Sequence, residues 1–296
     1  MPPKSLNFVA SPENRFKKRM ANLYLIGVPA AGSIFWLFNM KKFPLTWIEV
    51  SCFLTFYVLT GLSIGLGFHR CFSHQSYRPI RPLKLAMLFF GSLACQGSIV
   101  RWVADHRRHH RLTDKEWDTH SPCYVEDRKF SSLVKGLVHA HFTWMFDRTT
   151  TDHQTYAKDI LKDPDIRFFN KFYYPITLLT FLLPAAFGYL LGGSEHLISC
   201  LLIGGALRTT VFHNVTWSVN SIGHAFGSRD ATENDDSRNN LFLALLTFGE
   251  GWHNNHHASP RCAINQWKWY QIDMGGWLLL GMERIGLVSK IHRKHL

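Results

Sequence analysis

The six cysteines of this 296-residue chain, Cys52, Cys71, Cys95, Cys123, Cys200 and Cys262, include no CxxC pair. Their scatter excludes a zinc ribbon and gives no disulfide framework; several stand in apolar runs and read as reduced, buried, small hydrophobes. No A-x-A cleavage pattern follows the first apolar run, so a signal peptide is not expected there. Low-complexity tracts are absent, and so are bridging carboxylates at metal-ligand spacing in the histidine-rich stretches. Although the net charge is +12, no nucleic-acid module accompanies it, and nucleic acid is not an expected partner.

What the chain does have is long runs with almost no charge. Residues 21–39 and 172–192 carry none, 45–67 carry only Glu49, and 197–219 open with "LISCLLIGGALRTTVF", where Arg208 is the one charge. Each run is about as long as a helix crossing a hydrocarbon core of roughly 30 Å. Mean hydropathy is near zero because the polar residues are segregated elsewhere. The expected fold is therefore an all-α integral membrane protein with four transmembrane helices. A charge at membrane depth faces an interior partner, which Arg208 is expected to have. The shorter run 85–100 is expected to be a helix lying in the interface or beneath a polar cap.

Basic residues crowd the N-terminal arm 1–20, the segment 68–171 and the tail, whereas the connections at 40–44 and 193–196 carry few. The positive-inside rule then directs all three to the cytoplasm. The expected organisation is a basic arm over 1–20 and one domain over 21–296, with a helical cytoplasmic cap built from 68–171 and 220–296. Much of the net charge would face anionic headgroups of the bilayer.

Histidines carry the chemistry. In "HRRHH", His106, His109 and His110 stand at i, i+3 and i+4, one face of a helix. Taken alone this could be a solvated basic stretch, but "GEGWHNNHHASP" repeats the spacing with His253, His256 and His257. "GLGFHRCFSH" adds His69 and His74, and "WSVNSIGHAFG" adds His224 one turn after Asn220. On a regular helix a five-residue gap turns side chains about 140° apart, so His69 and His74 require a bend or bracket a site widely. Nine candidate ligands exceed one ion and imply a dinuclear centre. Imidazole suits iron, zinc, copper and nickel, and the lack of bridging carboxylates favours a redox iron pair over a hydrolytic one. Asp105 and Glu250, beside these motifs, are expected to orient imidazole N–H groups.

With four spans, HxxxxH and two HxxHH elements in this order, the strings "WVADHRRHH", "TWSVNSIGH" and "GEGWHNNHH" resemble the membrane fatty acyl desaturases of the stearoyl-CoA Δ9 type, bacterial in character, over roughly residues 45–275. The resemblance implies two irons held by the nine histidines, with Asn220 as a tenth contact through water. It implies an O2-dependent reaction that introduces a cis double bond, by expectation Δ9, into a long saturated acyl chain carried as acyl-CoA or acyl-lipid. Trp102 and Thr216 match positions that flank a bend in the substrate tunnel, and Gln96 and Trp217 positions near the headgroup end. Gly97 and Ala104 replace an Asn and an Arg that contact CoA in animal enzymes, while Arg101 stands nearby as a substitute. A ferredoxin or cytochrome b5 is expected as separate electron donor, no such domain being fused here. A bacterial inner membrane is expected rather than endoplasmic reticulum. Zinc would replace iron adventitiously, following the usual stability order.

The segment "HRLTDKEWDTHSP" departs from the family's acidic-Pro-His stretch and leaves His120 without a role. His139, His141, His153, His196, His213, His292 and His295 lack paired spacing and are expected to be ordinary hydrogen-bonding residues. The competing readings are a membrane hydroxylase or alkane monooxygenase with a similar centre, and a non-enzymatic metal-binding membrane protein.

Overall fold

A computed structural model describes residues 12–232 and 234–294; residues 1–11 of the expected arm and His295 lie outside the described residues. Among the described residues, four helices are long and apolar enough to cross a membrane: α1 (Glu13–Phe38), α2 (Trp47–Ser73), α7 (Tyr173–Gly192) and α8 (Ser194–His224). The expected four-span, all-α architecture is what the chain adopts. Between α2 and α7 lie α3 (Arg81–Ser92), α4 (Ile99–Leu112), α5 (Leu133–His141) and α6 (Pro164–Lys171); after α8 come α9 (Leu241–Leu246), α10 (His253–Ala258) and α11 (Met274–Arg284). Antiparallel two-residue strands pair 78–79 with 288–289 and 124–125 with 128–129.

The first two helices outrun their apolar stretches on the side that carries the histidines. The first span starts inside the basic arm and the second continues to Ser73, beyond the apolar run ending at residue 67. At the other end the turns are tight. Thr46 and Glu49 form a capping box that starts α2. A single residue, Gly193, with φ +77°, joins α7 to α8. Because the spans alternate in direction, the 74–172 and 225–294 segments share one side.

Two features depart from a regular-helix reading. Residues Ser63–Ser73 at the end of α2 are π-helical, so the His74 amide bonds the His69 carbonyl at 3.3 Å, five residues back. That winding brings the two rings to 5.0 Å and removes the 140° separation. The 85–100 run, in turn, is not one helix. α3 ends at Ser92, and the chain turns through positive φ at Cys95 and Gly97 before α4 begins. Spans three and four hold this break. Leu93 O accepts from Thr180 Oγ1 at 2.7 Å and from Arg208 Nη1 at 3.3 Å, and Gly97 N donates to Tyr173 OH at 2.9 Å. Thr180 Oγ1, with Leu93 and Gly204 carbonyls, is thus the interior partner of Arg208.

α3 can lie close along α2 because Gly91 is small: a Cβ there would come within 2.3 Å of the Phe68 ring. Phe68, Leu88, Val103, Ala104 and Leu279 form the centre of the main core. Beneath the histidines, buried Arg70 bonds both Glu250 and Asp273, and Asp273 also accepts from the amides of Asn265 and Gly276, fastening α11 to α2. Removing one partner of a buried pair strands a charge, at a cost of about 3 kcal/mol. Asp273→Ala should therefore lower the thermal midpoint in detergent markedly, whereas Arg81→Ala, which removes the exposed pair with Asp165, should change it little; equal effects would contradict this account.

Candidate metal centre

The nine predicted histidines converge from four stretches of the chain, the end of α2 with the residue after it, α4, α8 and α10, into two adjoining cages. His69, His74, His106, His110 and His256 form one; His109, His224, His253 and His257 form the other. Within each cage the candidate ligand atoms lie within 4.8 Å of one another. α4 serves both, presenting His106 and His110 to the first and His109 to the second, and α10 does likewise with His256 against His253 and His257. The i, i+3, i+4 spacing thus places each helix astride two sites.

Neighbouring Nε2 atoms approach to 2.7 Å between His74 and His106, 2.9 Å between His110 and His256, and 3.0 Å between His69 and His256. In the second cage, His224 and His253 are 3.0 Å apart. Roughly 3 Å is the separation expected of two ligand nitrogens each about 2.1 Å from one ion. The buried Nε2 atoms of His109 and His257 have no hydrogen-bond partner, although the Nδ1 atoms of both rings bond carboxylates. Orphaned nitrogens with anchored opposite sides fit a cation at the cage centres.

Four carboxylates set the ring orientations. His69 Nδ1 bonds Glu250, His109 Nδ1 bonds Asp118 at 2.9 Å, His224 Nδ1 bonds Asp114 at 2.9 Å, and His257 Nδ1 bonds Asp235 at 3.0 Å. Glu250 thus does what its position implied. Asp105 does not: it accepts from Thr151 at 2.5 Å and pairs with Arg101. The sequence reading missed Asp114, Asp118 and Asp235, which lie in irregular segments where no periodicity marks them. Their signal was present, in retrospect, as acids just after one HxxHH and some way before the other.

Burial, reinforced by repulsion among neighbouring imidazoles, drives His74, His106, His109, His110, His253, His256 and His257 well below their usual range. They are neutral, as a ligand must be. Burial, and then Asp114, push Asp118 up to about 7. Burial opposes ionisation of Asp235 and Glu250 too, but His257 holds the first below its ordinary value, as Arg70 and His69 hold the second.

Against these cages lies a cavity in two chambers. One is lined by Gln96, Trp102, His106, Thr216, Trp217 and Asn220, the other by Ile64, His69, Trp102, Phe212, Thr216 and Asn220. Trp102, Thr216 and Asn220 stand at the junction. Trp102 stacks on His106 with centroids 5.0 Å apart and donates Nε1–H to Gln96 Oε1 at 3.4 Å. His120, left without a role by its motif, packs 4.2 Å from His109 and lines the first chamber. Other histidines are hydrogen-bonded structural residues: His213 to Ala94 O at 2.8 Å, His196 to Glu49 at 2.7 Å and His141 to Ser221 at 3.1 Å.

Four spans carrying two imidazole cages beside a largely apolar cavity fit a membrane protein with a metal site set against an apolar ligand. The chain belongs to the fatty acid desaturase family, whose model matches residues 44–277. It is 34% identical over 264 residues to the hex-5-enoyl-[acyl-carrier protein] acetylenase of Moorena producens, covering 88% of this chain and 82% of that protein. It is 35% identical to the sn-1 stearoyl-lipid 9-desaturase of Synechocystis, over 83% of this chain and 72% of that one. Identity to the Arabidopsis thaliana delta-9 acyl-lipid desaturase 1 is 31%, over 93% and 86%.

Two measurements test the centre. Asp118→Asn should lower metal retention on dialysis about 10- to 100-fold while the membrane yield holds, read by elemental analysis; undiminished retention would remove Asp118 from the centre. The metal-free protein should also lose stability as pH falls from about 7 to 5, because the unfolded chain takes up protons near the usual histidine pKa of about 6.5 that the buried rings refuse. Asp118, Asp147 and His224, whose pKa values stand above their usual ones, act in the opposite sense, but they are three groups against seven. A flat melting profile across that range would contradict neutral burial.

Proposed function

We propose that this protein is an O2-dependent di-iron fatty acyl desaturase that places a cis double bond, at Δ9, in a long saturated acyl chain presented as acyl-CoA or acyl-lipid. The observation that carries the proposal is the junction of the cavity at Trp102, Thr216 and Asn220, directly against His69 and His106 of the first cage. The nine histidines are assigned as ligands, and Asn220 as a further contact through water. Iron held there, with dioxygen, supplies the oxidising power to remove two hydrogens from adjacent methylenes: two electrons and two protons are consumed and two waters formed. An alkyl chain has no polar handle, so the protein's part is placement. Gln96 and Trp217 flank the headgroup end, Trp102 and Thr216 crowd the chain at the bend, and the apolar walls keep bulk water from the reacting carbons.

The delta-9 relatives support that regiochemistry. The basic arm and segments beside the cages support a cytoplasmic active site in a bacterial inner membrane. Electrons would come from a separate ferredoxin- or cytochrome b5-type donor. Zinc in overexpressed protein would be an adventitious substitute.

Cells expressing the chain should accumulate new cis-monoenes, located chemically by gas chromatography and mass spectrometry, and cells expressing His109→Ala should lose them by at least about 100-fold. Hydroxylated chains in place of alkenes would transfer the assignment to a hydroxylase.

A further inference from the structure

Beside the chamber lined by Gln96 and Trp217, here the inner one, lies a larger vestibule of about 520 Å³. Its walls include Lys17 and Lys18 of α1, Arg101 and Asp105 of α4, Asp152 and Tyr174. Arg101 and Asp105 also line the inner chamber, so the two spaces meet at their side chains. The vestibule is thus a polar space adjoining the cavity proposed above to take the acyl chain.

Its depth follows from the helices that bound it. α1 is one continuous helix with the first span, so its basic turns stand where that span leaves the hydrocarbon. On the face of α1 opposite Lys17 and Lys18, Phe16, Met20 and Leu23 are 64%, 45% and 60% exposed. Three large apolar side chains at i, i+4 and i+7 suit the boundary between headgroups and acyl chains, not open water. On the other wall, Tyr174 stands in the first turn of the third span and is half exposed. Below the vestibule Tyr24 and Tyr174 approach to 6.3 Å between ring centroids, and Tyr24 OH lies 3.1 Å from Thr177 Oγ1. Tyrosines at the ends of spans mark the membrane–water interface. The opening therefore lies between two membrane helices at headgroup level.

The charge is small for so basic a chain. Three cations, Lys17, Lys18 and Arg101, face two carboxylates, Asp105 and Asp152, which leaves a net single positive charge. Part of even that is committed: Lys18 Nζ donates to the Asp147 and Thr149 carbonyls, Arg101 to Asn22, and Lys17 pairs with Glu13. Such a site matches a phosphodiester. It matches poorly the several phosphates of a nucleotide-bearing thioester carrier or the acidic face of a carrier protein, each of which calls for a surplus of cations.

We infer that the acyl chain is taken while esterified to a glycerolipid of the surrounding bilayer, whose headgroup, of single negative charge, enters the vestibule laterally between α1 and α7. This rests on the desaturase reading above and names the carrier which that reading leaves open.

The test is made in cells. Phospholipids are labelled with deuterated stearate before expression is induced. The label is then removed, acyl activation is blocked so that released chains cannot be re-esterified, and expression is started. Deuterated monoenes appearing in the pre-labelled intact phospholipids are the expected result. Double bonds confined to lipids made when acyl activation is left running would overturn the lipid carrier while leaving desaturation standing. No double bonds in either pool would overturn the desaturase reading, and this inference with it. The variant Ala21→Trp, which fills the vestibule wall, should cut conversion of the pre-labelled pool at least tenfold with metal content unchanged. Unchanged conversion would overturn the lateral route, and the wild-type labelling decides the carrier whatever the variant's yield.

Discussion

Imidazoles can crowd into one dry place only as neutral rings, because each protonated neighbour repels the next and burial penalises every charge. That constraint orders this molecule. Nine rings drawn from four stretches of the chain must present a free nitrogen inward and dispose of the other, and in four of them a carboxylate takes the outward N–H. Glu250 is itself held by Arg70, and Arg70 by Asp273, so ring orientation is tied through a buried chain to the helix that closes the fold. Metal affinity and stability of the cap thus share the same residues.

The membrane helices contribute more than anchorage. The π-helical end of α2 winds His69 and His74 onto one side. The break after α3, fixed by Thr180, Arg208 and Tyr173 from the third and fourth spans, turns Gln96 toward the chamber. Arg208, isolated by charge in its span, makes sense here: five guanidinium donors can bind several carbonyl and hydroxyl oxygens at once, which a helix break exposes and a bilayer cannot solvate.

Hydropathy made the four spans legible because a hydrocarbon core selects for length and apolarity, both of which are local in sequence. The histidine motifs were legible because a repeated i, i+3, i+4 pattern has few other physical causes. What stayed hidden was what depends on backbone winding or on distant partners. Five-residue spacing at His69 and His74 cannot disclose a π-helix to a reader assuming regular winding. Asp114, Asp118 and Asp235 sit in irregular chain, where adjacency in space leaves no period. Asp105, next to His106 in sequence, points away from the cages and serves Thr151 and Arg101 instead. Sequence neighbours on a helix diverge by about 100°, so adjacency to a ligand is a poor guide to contact with it.

The tight turns at the end of the molecule remote from the histidines have a consequence for traffic. With α7 joined to α8 through Gly193 alone, and α1 to α2 through 39–46, that face offers little on which another molecule could gain purchase. What the centre exchanges is thereby kept from that face, and an acyl chain and the proposed electron donor would compete for the opposite one. The inferred lateral route between α1 and α7 would separate them: the chain would pass through the flank of the bundle and leave the outer surface of the cap clear for the donor.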